Sequence, residues 1–178
     1  MREMIYINHI KEQMQNKKHI VITGSMGSGK STLLNELRRE LDSKDGLPGL
    51  ITWNEHRKAV YMRRVGDAKC VMIGEYNPQK SPAGKLMEPV TNGFNIYGVS
   101  LLESFIHDDS EWVTIDEIGF LEACCQPYLN KLFELFDQKR VIAVVRKQNL
   151  KHINDIVHRD DAFVIDLDVI QMDTFLNH

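Results

Sequence analysis

Long apolar runs are missing from this chain of 178 residues. No stretch approaches the ~18 to 20 consecutive apolar residues that a membrane span requires. The first sixteen residues mix Arg2, Glu3, Lys11 and Glu12 among apolar positions, where a secretory leader would keep an uninterrupted apolar core. The expected location is therefore the cytoplasm, with no membrane partner. An excess of either charge is missing too: 22 Lys and Arg face 25 Asp and Glu, for a formal net charge of −3. Without a general basic field, nucleic acid is not an expected partner, and any phosphate binding has to be local. Cysteine is scarce. Cys70, Cys124 and Cys125 form no C-x-x-C pair, and their odd number fits reduced thiols. Cys124 and Cys125 read as small core-filling residues.

What is present suits one domain with a substantial core: 43% of residues are hydrophobic and 26% charged. Ile5, His9, Ile10 and Met14 recur at helical spacing, which predicts a short amphipathic helix over the first sixteen residues. Residues 18–23 (KHIVIT) are apolar and β-branched and end in a glycine cluster, as a buried parallel strand does. Leu33, Leu34, Leu37 and Leu41 then mark the inner face of a helix.

Short β-like pieces follow at 50–53, 59–64 and 68–74, closely enough spaced for antiparallel hairpins. Residues 77–95 carry Pro78, Pro82, Gly84, Pro89 and Gly93 and read as one long loop, a candidate substrate-facing lid. The remainder predicts helices at 99–107 and 126–138 and strands at 112–115, 141–145 and 162–167. This alternation implies a three-layer α/β domain over 1–178, with a mostly parallel sheet and antiparallel additions.

Gly24, Ser25, Met26, Gly27, Ser28, Gly29, Lys30 and Ser31 satisfy G-x-x-x-x-G-K-[ST] in full. A chance match in a chain this long is below roughly one in a hundred. Its place between a strand and a helix is what the chemistry needs: glycines let backbone N–H groups converge on phosphate oxygens, and the helix N-terminus adds a favourable dipole. Lys30 is expected on the β- and γ-phosphates, Ser31 on Mg²⁺, and Thr32 near the α-phosphate. This motif positions a nucleoside triphosphate and leaves the reaction open.

The second element is Trp112, Val113, Thr114, Ile115, Asp116 and Glu117, an apolar strand ending in two acids as a Walker B strand does. Asp116 can complete the Mg²⁺ site with Ser31, and Glu117 can align or deprotonate the attacking water. Glu117 and Lys30 are the expected catalytic residues. A guanidinium commonly compensates charge at the γ-phosphoryl group, and Arg57 and Arg146 are the candidates. The seven histidines show no zinc-ligand spacing, and His152 and His158 are expected on a helix surface.

With these residues laid out, the chain resembles the small nucleoside-triphosphatase family first described in thermophiles. The resemblance runs through residues 22–33, 49–52 with Glu55 and Arg57, 93–99, Asp116-Glu117-Ile118-Gly119 with Glu122, and 141–146. The D-E-I-G-x-x-E stretch is its most specific part, with Leu121 where the family usually has Met; the segment before Arg57 is longer by Trp53 and Asn54. The resemblance implies a RecA-like P-loop domain that hydrolyses several triphosphates slowly, with a nucleotide site formed by residues 24–31, Asp116 and Glu117. Two other readings stay open. One is a small-molecule or nucleoside kinase, although the 77–95 segment lacks the arginines such lids usually carry. The other is a nucleotide-dependent switch or assembly factor acting on a protein partner.

Overall fold

The structure is a computed structural model that describes residues 10, 12, 14–41, 46–55, 58–77, 79 and 87–170. Eight strands form one sheet: β1 (His19–Thr23), β2 (Gly49–Glu55), β3 (Ala59–Arg64), β4 (Val71–Tyr76), β5 (Met87–Pro89), β6 (Trp112–Ile118), β7 (Arg140–Val145) and β8 (Ala162–Asp166). Their spatial order is β5-β4-β3-β2-β6-β7-β1-β8. From β2 to β8 every pairing is parallel, and from β2 out to β5 every pairing is antiparallel.

The parallel half is covered on both faces, so its strands are apolar at most positions. Pleating then deals successive residues to opposite layers. Ile20, Ile22, Ile142 and Val144 pack with Leu33, Leu34 and Leu37 of α1 (Lys30–Leu41). Val21, Val113, Ile115, Ala143 and Val145 pack on the other side. There they meet Leu102 and Phe105 of α2 (Val99–Ile106), Leu132 and Phe136 of α3 (Gln126–Gln138), and Ile153 and Ile156 of α4 (Lys151–Val157). Each fully buried Val, Leu, Ile or Phe among these contributes roughly 1.5–3 kcal/mol of transfer free energy. This is the expected three-layer α/β architecture.

Several local expectations change. The N-terminal helix falls mostly outside the described residues, although Ile10 and Met14 are buried as its inner face requires. The 77–95 segment is not loop throughout. Met87–Pro89 adds an edge strand to β4, and an edge tolerates Pro89 because its outer side needs no ladder donor. Gly93–Gly98 forms a π-helical turn leading into α2. Residues 78 and 80–86 of the expected lid lie outside the described residues. Cys125 is fully buried, as a core filler is, whereas Cys124 is exposed.

The helical-surface expectation for His152 is also overturned. The ring is buried, and its Nε2–H donates to the carbonyl of Gly119 at 2.7 Å. A backbone carbonyl that needs a donor outweighs the polarity of the imidazole. His158, just past the end of α4, is exposed.

Candidate functional site

Because β1, β6 and β7 run parallel and lie next to one another, their carboxyl ends open on the same edge of the sheet. From that edge emerge the glycine loop after β1, Asp116 and Glu117 in β6, and Arg146 after β7. The loop turns through left-handed glycines, with φ of +146° at Gly24, +78° at Gly27 and +94° at Gly29. Lys30 opens α1 and curls back, its Nζ donating to the carbonyls of Gly24 at 3.1 Å and Ser25 at 2.7 Å. An ammonium has three donors, so this posture keeps the charge within the curl of the loop.

A brace holds the loop that no pattern in the sequence announced. The backbone N–H of Ser25 donates to both oxygens of Asp168, at 2.9 and 3.0 Å, and Ser25 Oγ donates to one of them at 2.8 Å. Lys147, just after β7, reaches the same carboxylate at 3.1 Å and Asp166 at 2.8 Å. These bonds, the backbone one foremost, depress the Asp168 pKa to about 2. The carboxylate that anchors the loop lies more than a hundred residues downstream, which is why local spacing does not betray it.

The acidic end of β6 departs from a regular ladder. Asp116 pairs with Val144 and Ile118 with Val145, so Glu117 is an extra residue in the register. A bulge of this kind re-aims a side chain, here at the strand end. Asp116 and Ser31 line the same cavity, near enough for the hydroxyl to act on the carboxyl. Burial holds the Asp116 carboxyl above the usual carboxylate range; the Ser31 hydroxyl opposes that shift, Glu117 reinforces it and the Lys30 charge opposes it. Glu117 is ion-paired with Arg146 through Nε and Oε1, and its backbone N–H donates to Thr52 Oγ1 at 3.2 Å. The Arg146 guanidinium also lies 5.9 Å from the centre of the Phe120 ring.

Behind these groups sits the D-E-I-G-x-x-E turn. Gly119 donates its N–H to the buried Glu122 carboxyl at 2.8 Å while His152 satisfies its carbonyl. Ile118 accepts from the N–H of Arg146 at 2.9 Å. A Cβ on Gly119 would come within 3.1 Å of Arg146 Cδ, so a glycine there lets the arginine lie flat against the turn. Glu122 thus shapes the site from behind, and burial raises its pKa to about 7.

Two concavities meet here. An open groove of about 560 Å³ is lined by Gly24, Ser25, Met26, Gly27, Gly29, Lys30, Ser31 and Thr32, with Glu117, Arg146, Lys147 and Gln148. A second cavity of about 250 Å³ shares Ser31, Glu117 and Arg146 with the groove and runs inward beneath β2 and β3. Asp116 lines this second cavity, and Ser28 lines neither. Arg57 lies outside the described residues, so of the two arginine candidates the structure places Arg146 beside the acids.

Among the described residues no cluster of three or more His, Cys, Asp and Glu side chains could hold a metal. The Ser31 hydroxyl and the part-buried Asp116 carboxyl are nevertheless hard oxygen donors that line one cavity, a pair that suits Mg²⁺, which takes few protein ligands and completes its shell with phosphate and water. No helix among the described residues is long and apolar enough to cross a membrane.

The chain is similar to several known proteins. The chain is 26% identical over 166 residues to the nucleoside-triphosphatase THEP1 of Thermotoga maritima, covering 89% of this chain and 91% of that protein. It is 25% identical over 156 residues to the THEP1 of Archaeoglobus fulgidus, covering 83% and 88%. The crystal structure of THEP1 from Aquifex aeolicus superposes with a TM-score of 0.67 at 20% identity, over 88% of this chain and 96% of that one, a likeness of fold. A family model described as NTPase matches residues 19–178, from the first strand through the last residue. The glycine loop, the bulged acidic strand and the arginine beyond β7 all fall within that match, and the chain belongs to the NTPase family.

Proposed function

We propose that the protein binds nucleoside triphosphates with Mg²⁺ and hydrolyses them to diphosphate and phosphate, accepting both ATP and GTP. The observation that carries this reading is the convergence of the glycine loop and the Glu117–Arg146 pair on one groove, with Asp116 beside Ser31 in the adjoining cavity. The N–H groups of residues 24–31 and the Lys30 ammonium hold the β- and γ-phosphates. Ser31 and Asp116 hold the metal, whose contribution is to neutralise phosphate charge.

Glu117 aligns the attacking water and takes its proton, and Arg146 compensates charge on the γ-phosphoryl oxygens. Pairing the two side chains fixes their separation before substrate arrives. Beyond the loop the groove continues along Lys147 and Gln148. The exposed thiols of Cys70 and Cys124 fit a reducing cytoplasm.

Phosphate release from each of the four NTPs, with and without Mg²⁺, tests the proposal on wild type and Glu117→Gln. Mg²⁺-dependent release from at least ATP and GTP is expected, with the variant nearly inactive. Equal rates for the two proteins would remove Glu117 from the mechanism. A second reading, transfer of the γ-phosphoryl group to a small molecule, is favoured by the inner cavity that opens from the same groove.

A further inference from the structure

Water as the acceptor needs little room: a cavity holds one molecule in roughly 10–15 Å³ of probe-occupied volume. The inner cavity measures about 250 Å³, close to the lower end of pockets that take organic ligands. It is joined to the phosphate groove at Ser31, Glu117 and Arg146, the point where the γ-phosphoryl group must lie if Lys30 and Ser31 hold the β- and γ-phosphates. It is also built by the part of the molecule that the parallel P-loop core does not need. Period-two alternation turns Thr52 and Asn54 of β2, and Val60 and Met62 of β3, to the cavity face. Ile73 from β4, Met87 from β5 and Phe94 from the π-helical turn close the inner end.

The walls specify an occupant. Met62, Ile73, Phe94, Leu121 and Tyr128 give a buried apolar floor, with Phe94 and Tyr128 in edge-to-face contact at 5.0 Å. Thr52, Asn54 and Glu117 offer hydrogen-bonding groups toward the mouth. Charge then excludes a large class. Asp116, Glu117 and Glu122 line the cavity, and among the described lining residues Arg146, already paired with Glu117, is the single cation. A phosphorylated or carboxylate-bearing acceptor would meet acids with no cation of its own.

We propose that this cavity is an acceptor site for a neutral, ring-bearing alcohol of the nucleoside class, and that the protein transfers the γ-phosphoryl group to it. The inference rests on the triphosphate site proposed above. In the step, the acceptor hydroxyl oxygen forms a bond to the γ-phosphorus, and the bond from that phosphorus to the β,γ-bridging oxygen breaks. The bridging oxygen keeps the electron pair and leaves with the nucleoside diphosphate. The hydroxyl proton passes to the Glu117 carboxylate. Water is the substitute acceptor when the cavity holds no alcohol, which accounts for hydrolysis by the same residues.

The test uses the full chain with γ-labelled ATP and Mg²⁺, adding each of the four ribonucleosides and four deoxyribonucleosides in turn and separating labelled products. Label is expected in a nucleoside monophosphate from at least one of them, at tenfold or more above label in inorganic phosphate. Val60→Phe, which fills the cavity, should lower the ratio of transfer to hydrolysis at least tenfold. Met87→Trp on the edge strand serves if that variant does not fold. If ATP is hydrolysed while label enters inorganic phosphate alone with all eight nucleosides, the acceptor site is overturned and the hydrolase reading survives. An unchanged ratio in both filled variants would also overturn it, because transfer would then occur elsewhere. Neither hydrolysis nor transfer in wild type would sink both readings, whereas transfer without hydrolysis would support the acceptor site alone.

Discussion

Glu117 and Arg146 form an ion pair at the boundary between the open groove and the inner cavity, each lining both. The pair is part-exposed, with 23% of the glutamate and 43% of the arginine side chain accessible, so it contributes little to folding and is better placed to act on a ligand.

Removing one partner should therefore leave stability nearly intact and activity not. Glu117→Gln is expected to lower kcat for hydrolysis by about 10²- to 10⁴-fold, the usual worth of a positioned base. Nucleotide Kd should change by less than about threefold. Titration calorimetry beside single-turnover kinetics separates the two quantities, and a loss confined to Kd would contradict the assignment.

Gly119→Ala probes the same pair from behind. The added Cβ would press on Arg146 Cδ, the middle of a flexible side chain, so the arginine moves while the turn survives. A fall of about tenfold in kcat is expected with a change in Tm of only a few degrees, by analogy with the sensitivity of catalysis to misplacements of about 1 Å. Unaltered kcat would show that the position of Arg146 is immaterial.

Asp168→Ala removes the anchor of the glycine loop, frees the N–H and hydroxyl of Ser25, and leaves Lys147 to Asp166. Roughly tenfold weaker binding of Mg-ATP is expected, with faster hydrogen exchange at the Ser25 amide. Since the folded pKa is depressed to about 2 from 3.8, the carboxylate's contribution is present above pH 3.8 and disappears as pH falls toward 2. The variant's exchange rate should consequently match wild type only at the acid end, and equal affinities would show that the loop needs no brace.

Two buried groups oppose one another in the pH dependence of stability. Burial lowers His19 from 6.5 to about 4, even though Asp161 lies 3.3 Å from its Nε2 and pulls the other way. Its stabilising contribution is present above pH 6.5 and lost as pH falls toward 4, a loss of about 3 kcal/mol. Glu122 is raised from 4.5 to about 7, so its contribution is present below pH 4.5 and lost as pH rises through 7. The two slopes nearly cancel in the wild type. Glu122→Gln keeps an acceptor for Gly119 and removes one slope, so the variant should lose about 3 kcal/mol between pH 6.5 and 4. Urea unfolding at a series of pH values reads this directly; parallel curves for the two proteins between pH 4.5 and 7 would refute the pairing.

Much of the parallel core was legible because local sequence and final environment agree there. Ile20, Val21 and Ile22 are apolar in succession since both sheet faces are covered, and α3 spans the same residues, 126–138, that the sequence predicts. Legibility failed where a long-range partner decides. Met87–Pro89 carries no strand signal of its own and becomes one through the edge of β4. His152 looks like a surface histidine until Gly119, thirty-three residues away, presents a carbonyl to it.

The sequence by itself determined the glycine loop, the acids of β6 and the alternation of strands and helices in the parallel half, because each rests on side-chain types within a few residues of one another. Tertiary structure alone decided that Arg146 meets Glu117, that Asp168 anchors Ser25, and that a cavity opens beside them. Those relations depend on which strands lie side by side and where a bulge turns one residue, and hydrogen bonding and packing across the sheet fix both only once the chain has closed on itself.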